Sequence, residues 1–371
     1  MVFQIITIVA ILSLLIYLFY LRLFYSGLKK KDIELDFKKK KVSVVIAARN
    51  EEKNIPLLLT SLMNQTYPKE LFEVVIADDD SNDKTAEIVQ QFQEKWDNIH
   101  FIKTEKRQQV ISPKKNALSQ GIKASSGDII LCTDADCVVG KFWIESMVSY
   151  FKQDTQMVCG FSRTKINEWN KAVLSQKFEH FDFLVMMFAA AGAISSKKYF
   201  SCTGQNLAYR RKTFESVGGF ERIKHLISGD DVNLVQLFRH QNFNIRFAFS
   251  PHSFTLTKPI ERLAQLLNQR SRWASNMKWQ IMMNPEFFVY LMSVFFLAFL
   301  PIVLFFFNWK IGVGILLIKA FSDFLFIKEG YRIFPNEKAR KIFFPFWFIL
   351  QPVYILVVTF LGILNIFRWK K

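Results

Sequence analysis

Apolar residues fall into two patterns along this chain. Long unbroken runs stand at the ends: residues 2–25, then 287–307, 311–327 and 342–367. Runs of this length suit a bilayer core, which takes a helix of roughly 20 residues. Between them the apolar runs are short. Residues 42–46, 72–77, 99–103 and 128–132 are rich in Val and Ile and read as strands. Residues 55–63, 84–96 and 116–124 read as the helices between them. Alternating strands and helices predict an α/β domain around a parallel, Rossmann-like sheet. The strands are nearly continuous in apolar residues, as strands buried on both faces are. No GxGxxG run follows the first strand, which disfavours a dinucleotide-binding version.

The remaining pattern is less regular. Residues 141–256 mix both rhythms, and 178–193 is an apolar stretch interrupted by charge. Residues 259–283 read as one amphipathic helix, with Ile260, Leu263, Leu267, Ala274, Met277 and Ile281 at helical spacing. Such a helix either lies at a membrane surface or packs on the globular domain. The chain therefore divides into an N-terminal transmembrane anchor (1–25), a basic linker (26–41), two halves of an α/β domain (42–140 and 141–256), an amphipathic helix (257–285) and a C-terminal transmembrane region of about three helices (286–371).

Charge adds a direction to this layout. The chain has 371 residues and a formal net charge of +17. Nucleic acid is an unsuitable partner for that charge. There is no zinc-finger spacing or RNP-like motif, and the basic residues flank apolar runs. Lys29, Lys30, Lys31 and the lysines of 38–41 follow the first run directly. By the positive-inside rule they place its C-terminal end in the cytoplasm. The run lacks a basic start and a small-residue cleavage site, so it reads as an uncleaved anchor in a multi-pass inner or plasma membrane protein. The four cysteines, Cys132, Cys137, Cys159 and Cys202, form no CxxC pair and read as reduced buried thiols.

Five polar clusters carry candidate chemistry, and each has a structural alternative. Ala47-Ala48-Arg49-Asn50-Glu51 follows the first strand, and Asp78-Asp79-Asp80-Ser81 the second. Strand C-termini are where open α/β sheets bind ligands, and an Asp there can accept hydrogen bonds from a base or ribose. The alternative is a capping turn, since Asn82, Asp83 and Thr85 also start helices well. Asp134 and Asp136 are separated by one residue, which in an extended strand end puts both on one side. Paired carboxylates repel unless a cation neutralises them, and hard oxygen donors suit Mg²⁺ or Mn²⁺. A solvated turn is the alternative. Lys114 opens a helix after Pro113 and offers a point charge to phosphate, or is simply solvated. Gly229-Asp230-Asp231 precedes a helix over 232–240. An N-cap role explains one Asp, and a second carboxylate raises its neighbour's pKa toward that of a general base. Gln269, Arg272 and Trp273 stand at i, i+3 and i+4 on one helix face. They suit a diphosphate or a sugar, or else form an interfacial belt.

Taken in order, these clusters resemble the family 2 glycosyltransferases of GT-A fold, over about residues 42–273. The segments that carry the likeness are the x-Arg-Asn-Glu segment, the Asp-Asp strand end, Lys-x-x-Ala-Leu, Asp-x-Asp, Asp-Asp and Gln-x-x-Arg-Trp. Gly204-Gln205-Asn206, Tyr209-Arg210-Arg211 and Val217-Gly218-Gly219-Phe220 are similar to the family's acceptor-side region. The resemblance implies a UDP-linked nucleotide-sugar donor bound by the 42–140 half and an acceptor bound by the 141–256 half. It implies that Ala47, Arg49, Glu51, Asp78 and Asp79 contact the base and that Lys114 lies near the nucleotide. Asp134 and Asp136 would bind ribose and a metal-held diphosphate, both serving as metal ligands. Asp231, with Asp230 beside it, would deprotonate the acceptor. Gln269, Arg272 and Trp273 would close over the diphosphate and the acceptor entrance. Three positions depart from the family pattern: Asp80 for Gly or Asn, Ala47 for Pro or Thr, and Asp230 for Glu. The implied activity is inverting sugar transfer to a lipid, a lipid-linked acceptor or a polysaccharide. A processive polymer synthase and a non-catalytic nucleotide-sugar-binding scaffold are the alternatives. A transporter is disfavoured because the spans carry few ionisable residues, Lys319 and Asp323 being the exceptions.

Overall fold

The computed structural model describes residues 1–30, 35–105, 112–226, 228–335 and 341–367. Lys31, residues 336–340 and the C-terminal Arg368, Lys370 and Lys371 therefore lie outside the described residues. The chain forms two compact units, one of residues 31–165 and 197–258 and one of 1–30, 166–196 and 259–371.

The first unit is built on a seven-stranded sheet in the order β3-β2-β1-β4-β8-β6-β9. Its strands are β1 (Val42–Ala48), β2 (Phe72–Asp78), β3 (Ile99–Lys103), β4 (Ile129–Cys132), β6 (Thr155–Gly160), β8 (Leu207–Arg210) and β9 (Asn244–Ala248). A second, three-stranded sheet holds β5 (Cys137–Val139), β10 (Thr255–Thr257) and β7 (Ser162–Thr164) in the order β5-β10-β7. The helices of this unit are α2 (Ile55–Met63), α3 (Thr85–Gln93), α4 (Pro113–Lys123), α5 (Trp143–Ser149), α7 (Arg211–Ser216) and α8 (Val232–His240).

The apolar runs form the strands expected of them. Val44, Val45 and Ile46 of β1 and Val74, Val75 and Ile76 of β2 are fully buried, because β1 and β2 are inner strands with helices packed on the sheet. Burying one such side chain contributes roughly 1.5–3 kcal/mol, so a charge in these runs would not be tolerated. β3, β2, β1 and β4 run parallel, while β8 is antiparallel to both β4 and β6. The sheet is mainly parallel, as predicted, with one reversed strand that the alternation did not reveal.

Register sets where the chemistry can gather. Ala48 pairs with Asp78, so β1 and β2 end level. β4 ends at Cys132, opposite Val45, three positions short of the end of β1. The strand order reverses between β1 and β4, which opens a crevice at their C-terminal ends. The chain 133–136 turns there.

The second unit is helical: α1 (Val2–Leu28), α6 (Leu174–Ser195), α9 (Leu263–Ala274), α10 (Met277–Met283), α11 (Pro285–Phe307), α12 (Trp309–Ile333) and α13 (Phe344–Ile363). Residues 178–193 thus belong to one continuous helix despite their charges. Those charges have partners within the unit: Glu179 accepts the Ile260 N–H at 2.6 Å, and Asp182 accepts from Trp347 Nε1 at 3.2 Å. The stretch 259–283 is two helices rather than one. The break is at Ser275-Asn276, where the Ser275 hydroxyl bonds to the Arg272 carbonyl at 2.8 Å, a local bond that competes with helix continuation. Among the described residues four helices are long and apolar enough to cross a membrane: Val2–Leu28, Leu174–Ser195, Pro285–Phe307 and Lys341–Ile363.

Candidate active site

The loops after β1 and β2 clamp each other. Asn50 stands in the left-handed region (φ 53°), and its N–H donates to Ser81 Oγ at 3.0 Å while its Oδ1 accepts the Asn82 N–H at 2.8 Å. The Glu51 N–H donates to Thr85 Oγ1 at 2.8 Å, and its carboxylate accepts from Asn54 Nδ2 at 2.6 Å. Asp78 is buried and accepts the Ser81 N–H at 3.2 Å. Asp80, where the family has Gly or Asn, sits at φ 60°. Asp is among the few non-glycine residues that visit this region, because its short side chain bonds locally. The turn therefore forms without glycine. Asp78 thus caps the turn, and Asp83 accepts the Thr85 N–H at 3.0 Å at the start of α3.

That leaves Asp79 for other use. Burial raises its pKa, and Arg49, whose NH1 lies 3.3 Å from Asp79 Oδ2, opposes the rise. Arg49 Nε is buried and has no hydrogen-bond partner among the described residues. A buried donor without a partner marks a place for a ligand acceptor. Ala47 is the one partly buried position of β1, two residues before Arg49 in the chain.

Asp134 and Asp136 lie in the turn between β4 and β5, closed by the Cys137 N–H on the Asp134 carbonyl at 3.1 Å. The strand has already ended at Cys132, so the extended geometry expected of this pair is replaced by a turn. The Asp134 carboxylate meets Lys114. Lys114 Nζ is 2.7 Å from Asp134 Oδ1 and 2.9 Å from Asp230 Oδ2, so one ammonium joins two clusters that are far apart in sequence. Lys114 reaches them from the first turn of α4, where Ser112 is the N-cap and Pro113 opens the helix. Burial alone would lower the Lys114 pKa, but the Asp134 and Asp230 carboxylates hold it well above its ordinary value.

Asp230 and Asp231 follow Gly229, which turns the chain at φ 78°. Asp231 is the N-cap of α8: its Oδ1 accepts the Val232 N–H at 2.7 Å and its Oδ2 the Gly204 N–H at 2.8 Å. Burial and the Asp230 charge push Asp231 up to about 6, while Lys114 and the two N–H donors pull the other way. Asp230 is driven in the opposite direction. Burial would raise it, but the Lys114 ammonium keeps it below the usual carboxylate range. A Cβ on Gly204 would stand 3.0 Å from Asp230 Oδ2 and 3.4 Å from Lys114 Nζ, so glycine admits this approach. Asn206 anchors the segment from below, with Trp143 Nε1 donating to its Oδ1 at 3.0 Å and its Nδ2 donating to the Ser253 carbonyl at 2.6 Å.

Lys114, Asp134, Asp230 and Asp231 thus form one cluster, and Arg49 and Asp79 pair beside it in sequence order on the neighbouring strand ends. Gln269, Arg272 and Trp273 lie on α9 in the helical unit. There the Arg270 guanidinium stacks 4.1 Å from the Trp273 ring centroid. Sequence reasoning missed Lys115 and the Gly204 N–H, because neither side-chain type nor spacing signals a backbone contact.

Among the described residues no three His, Cys, Asp or Glu side chains gather as a metal site. Asp134 and Asp136 still fit a hard divalent cation that completes its shell with water and substrate phosphates, since such ions need only one or two protein carboxylates.

The model of glycosyl transferase family 2 matches residues 43–218. The glycosyltransferase AglE of Haloferax volcanii is 30% identical over 231 residues, covering 62% of this chain and 71% of that one. The beta-monoglucosyldiacylglycerol synthase of Trichormus variabilis is 28% identical over 237 residues, 63% of this chain but 48% of that one. Among solved structures, the mannosyltransferase PcManGT from Pyrobaculum calidifontis, in complex with GDP-Man and Mn²⁺, superposes with a TM-score of 0.63 at 17% identity. It covers 97% of this chain and 99% of that one, a likeness of fold.

Proposed function

The chain belongs to the family 2 glycosyltransferases, and from that premise we propose that it is a multi-pass membrane enzyme with its catalytic unit in the cytoplasm. It moves a sugar, with inversion, from a nucleotide sugar to a lipid or lipid-linked acceptor. The observation that carries the proposal is the Lys114 ammonium, which brings Asp134 of the β4–β5 turn and Asp230 beside Asp231 into one site.

The chain's own residues supply the steps. Asp79 and the unpartnered Arg49 Nε take the base, with Ala47, Glu51 and Asp78 framing that pocket. Lys114 holds Asp230 ionised, and the Asp230 charge keeps the Asp231 carboxylate proton-hungry. Asp231, oriented by two N–H donors, removes the acceptor proton, and the acceptor oxygen attacks the anomeric carbon opposite the diphosphate. Mg²⁺ or Mn²⁺ held by Asp134 and Asp136 would neutralise charge on the leaving diphosphate when bound. The roles of Gln269, Arg272 and Trp273 on diphosphate and acceptor rest on their motif. The glucolipid synthase among the relatives supports a lipid acceptor.

The test is product analysis with purified protein, a panel of nucleotide sugars and a lipid extract. A single glycolipid product is expected, and chelation with EDTA should abolish its formation until Mg²⁺ or Mn²⁺ is returned. A polymer would replace the lipid reading with the processive one. Full activity after rigorous chelation would remove the metal.

A further inference from the structure

The residue after Lys114 is also a lysine, and it does something different. Lys115 is 2% exposed. Its Nζ donates to three backbone carbonyls: Ile223 at 3.0 Å, Leu226 at 2.6 Å and Ser228 at 3.1 Å. An ammonium has three protons, and here each has a carbonyl. Those three residues shortly precede Gly229, Asp230 and Asp231 in the chain. Buried carbonyls need donors: Ile223 already takes the Leu226 N–H at 3.2 Å, and the Lys115 ammonium adds a donor to it and to Leu226 and Ser228. The Ser228 carbonyl also accepts from Asn233 Nδ2 at 3.1 Å, so it is held from both α4 and α8. Gly229 follows at once, at φ 78°, and Asp230 and Asp231 come directly after it, so the position of Ser228 bears on theirs.

Two successive residues of one helix turn therefore grip one segment by different means. Lys114 holds the Asp230 side chain, and Lys115 holds the backbone that delivers it. Burial lowers the Lys115 pKa to about 8, with Asp230 and Asp231 opposing, so the ammonium is still mostly charged at neutral pH.

We propose that Lys115 is a positioning residue for sugar transfer: its buried ammonium gathers the carbonyls of Ile223, Leu226 and Ser228 and so sets where Asp231 stands. This rests on the reading of Asp231 as the base. A displacement of about 1 Å at a reacting group can cost on the order of 10²-fold in rate. Lys115→Met should therefore lower turnover by roughly 10–100-fold and leave the donor KM within about twofold.

A double-mutant cycle with Asp231→Asn separates positioning from general support of the fold. If Lys115 acts through Asp231, Lys115→Met should change the residual turnover of Asp231→Asn by less than about threefold. An equal loss in both backgrounds, or a loss confined to donor KM, overturns the proposal. Should Lys115→Met fail to fold, Lys115→Gln, a neutral donor in the same space, replaces it in the cycle with the same criteria. Normal turnover of a Lys115 variant beside a crippled Asp231→Asn overturns the positioning role alone. Normal turnover of Asp231→Asn overturns the base itself.

Discussion

Asp230 and Asp231 are neighbours of one type that the fold holds in opposite electrostatic states. Lys114 at 2.9 Å keeps Asp230 ionised, and that charge, with burial, lifts Asp231 to about 6. A base must be unprotonated to act, so transfer should fall as pH drops through about 6 and reach a plateau above it. Asp231→Asn should lose roughly 10²–10⁴-fold in turnover, with little change in donor affinity, and its residual rate should lack that acid limb. A rate–pH profile of both proteins checks this, and an acid limb that survives in Asp231→Asn assigns it to another group. The carboxylate pairs at this site stood out in the sequence, each with a structural alternative beside it. Their partnership did not. Lys114 lies 20 positions from Asp134 and 116 from Asp230 in the chain, and only the sheet order brings them together. For Lys115 there was no signal at all, because backbone carbonyls carry no sequence identity.

At the scale of elements, the parallel strands and their helices followed from period and composition. β8 did not, because Leu207–Arg210 is four residues long and too short to show a period. α6 was obscured for another reason. Its Glu179 and Asp182 break the apolar pattern, yet each is paired with a group far away in the chain, and pairing is invisible to a pattern. The same helix shows how closely the helical unit packs. A Cβ on Gly192 would stand 2.3 Å from the Phe24 carbonyl oxygen, and one on Gly27 would stand 2.0 Å from the Gly192 oxygen. α1 and α6 therefore meet backbone to backbone, the approach that small residues permit between membrane helices. Gly192→Ala should destabilise the unit by about 1–3 kcal/mol, the range for overpacking. Gly314 on α12 has nothing within 4 Å of its Cβ position, so Gly314→Ala should be neutral or slightly stabilising. Thermal unfolding of both variants in detergent compares them directly. Equal stability would mean that α1 and α6 part at little cost.

At the scale of the whole molecule, connectivity limits which helices cross the membrane. α6 is long and apolar enough, but the chain before it supplies β4 and β6 and the chain after it supplies β8, which pairs with both. One crossing by α6 would put strands of one sheet on opposite sides of a bilayer. α6 is also 78% buried over its apolar window, against 22% for α1, as suits a helix surrounded by protein. The proposed crossings are then α1, α11 and α13, together with α12, which is long enough but is not among the four helices apolar enough to cross because charged residues interrupt the run expected at 311–327. α12 carries Lys319 and Asp323, but they neutralise each other at 2.7 Å, and Tyr17 of α1 donates to Asp323 at 2.5 Å. A paired charge facing other helices is the form in which membranes tolerate one. α13 is a continuous helix of 20 residues despite Pro352, about 30 Å long and enough for the hydrocarbon core. With the catalytic unit in the cytoplasm, as proposed, four crossings would leave the C-terminus outside, against the basic residues at 368–371 but with the lysines after α1. The buried thiols Cys132, Cys137, Cys159 and Cys202 can be replaced to give a cysteine-free background. In intact cells, a cysteine added after Lys371 should then react with an impermeant thiol reagent, while Lys171→Cys and Lys212→Cys, on either side of α6 in the chain, should both be protected. Reaction at only one of that pair would mean that α6 crosses. Protection of the C-terminal cysteine would mean that α13 does not, and that the basic tail has kept its end of the chain inside.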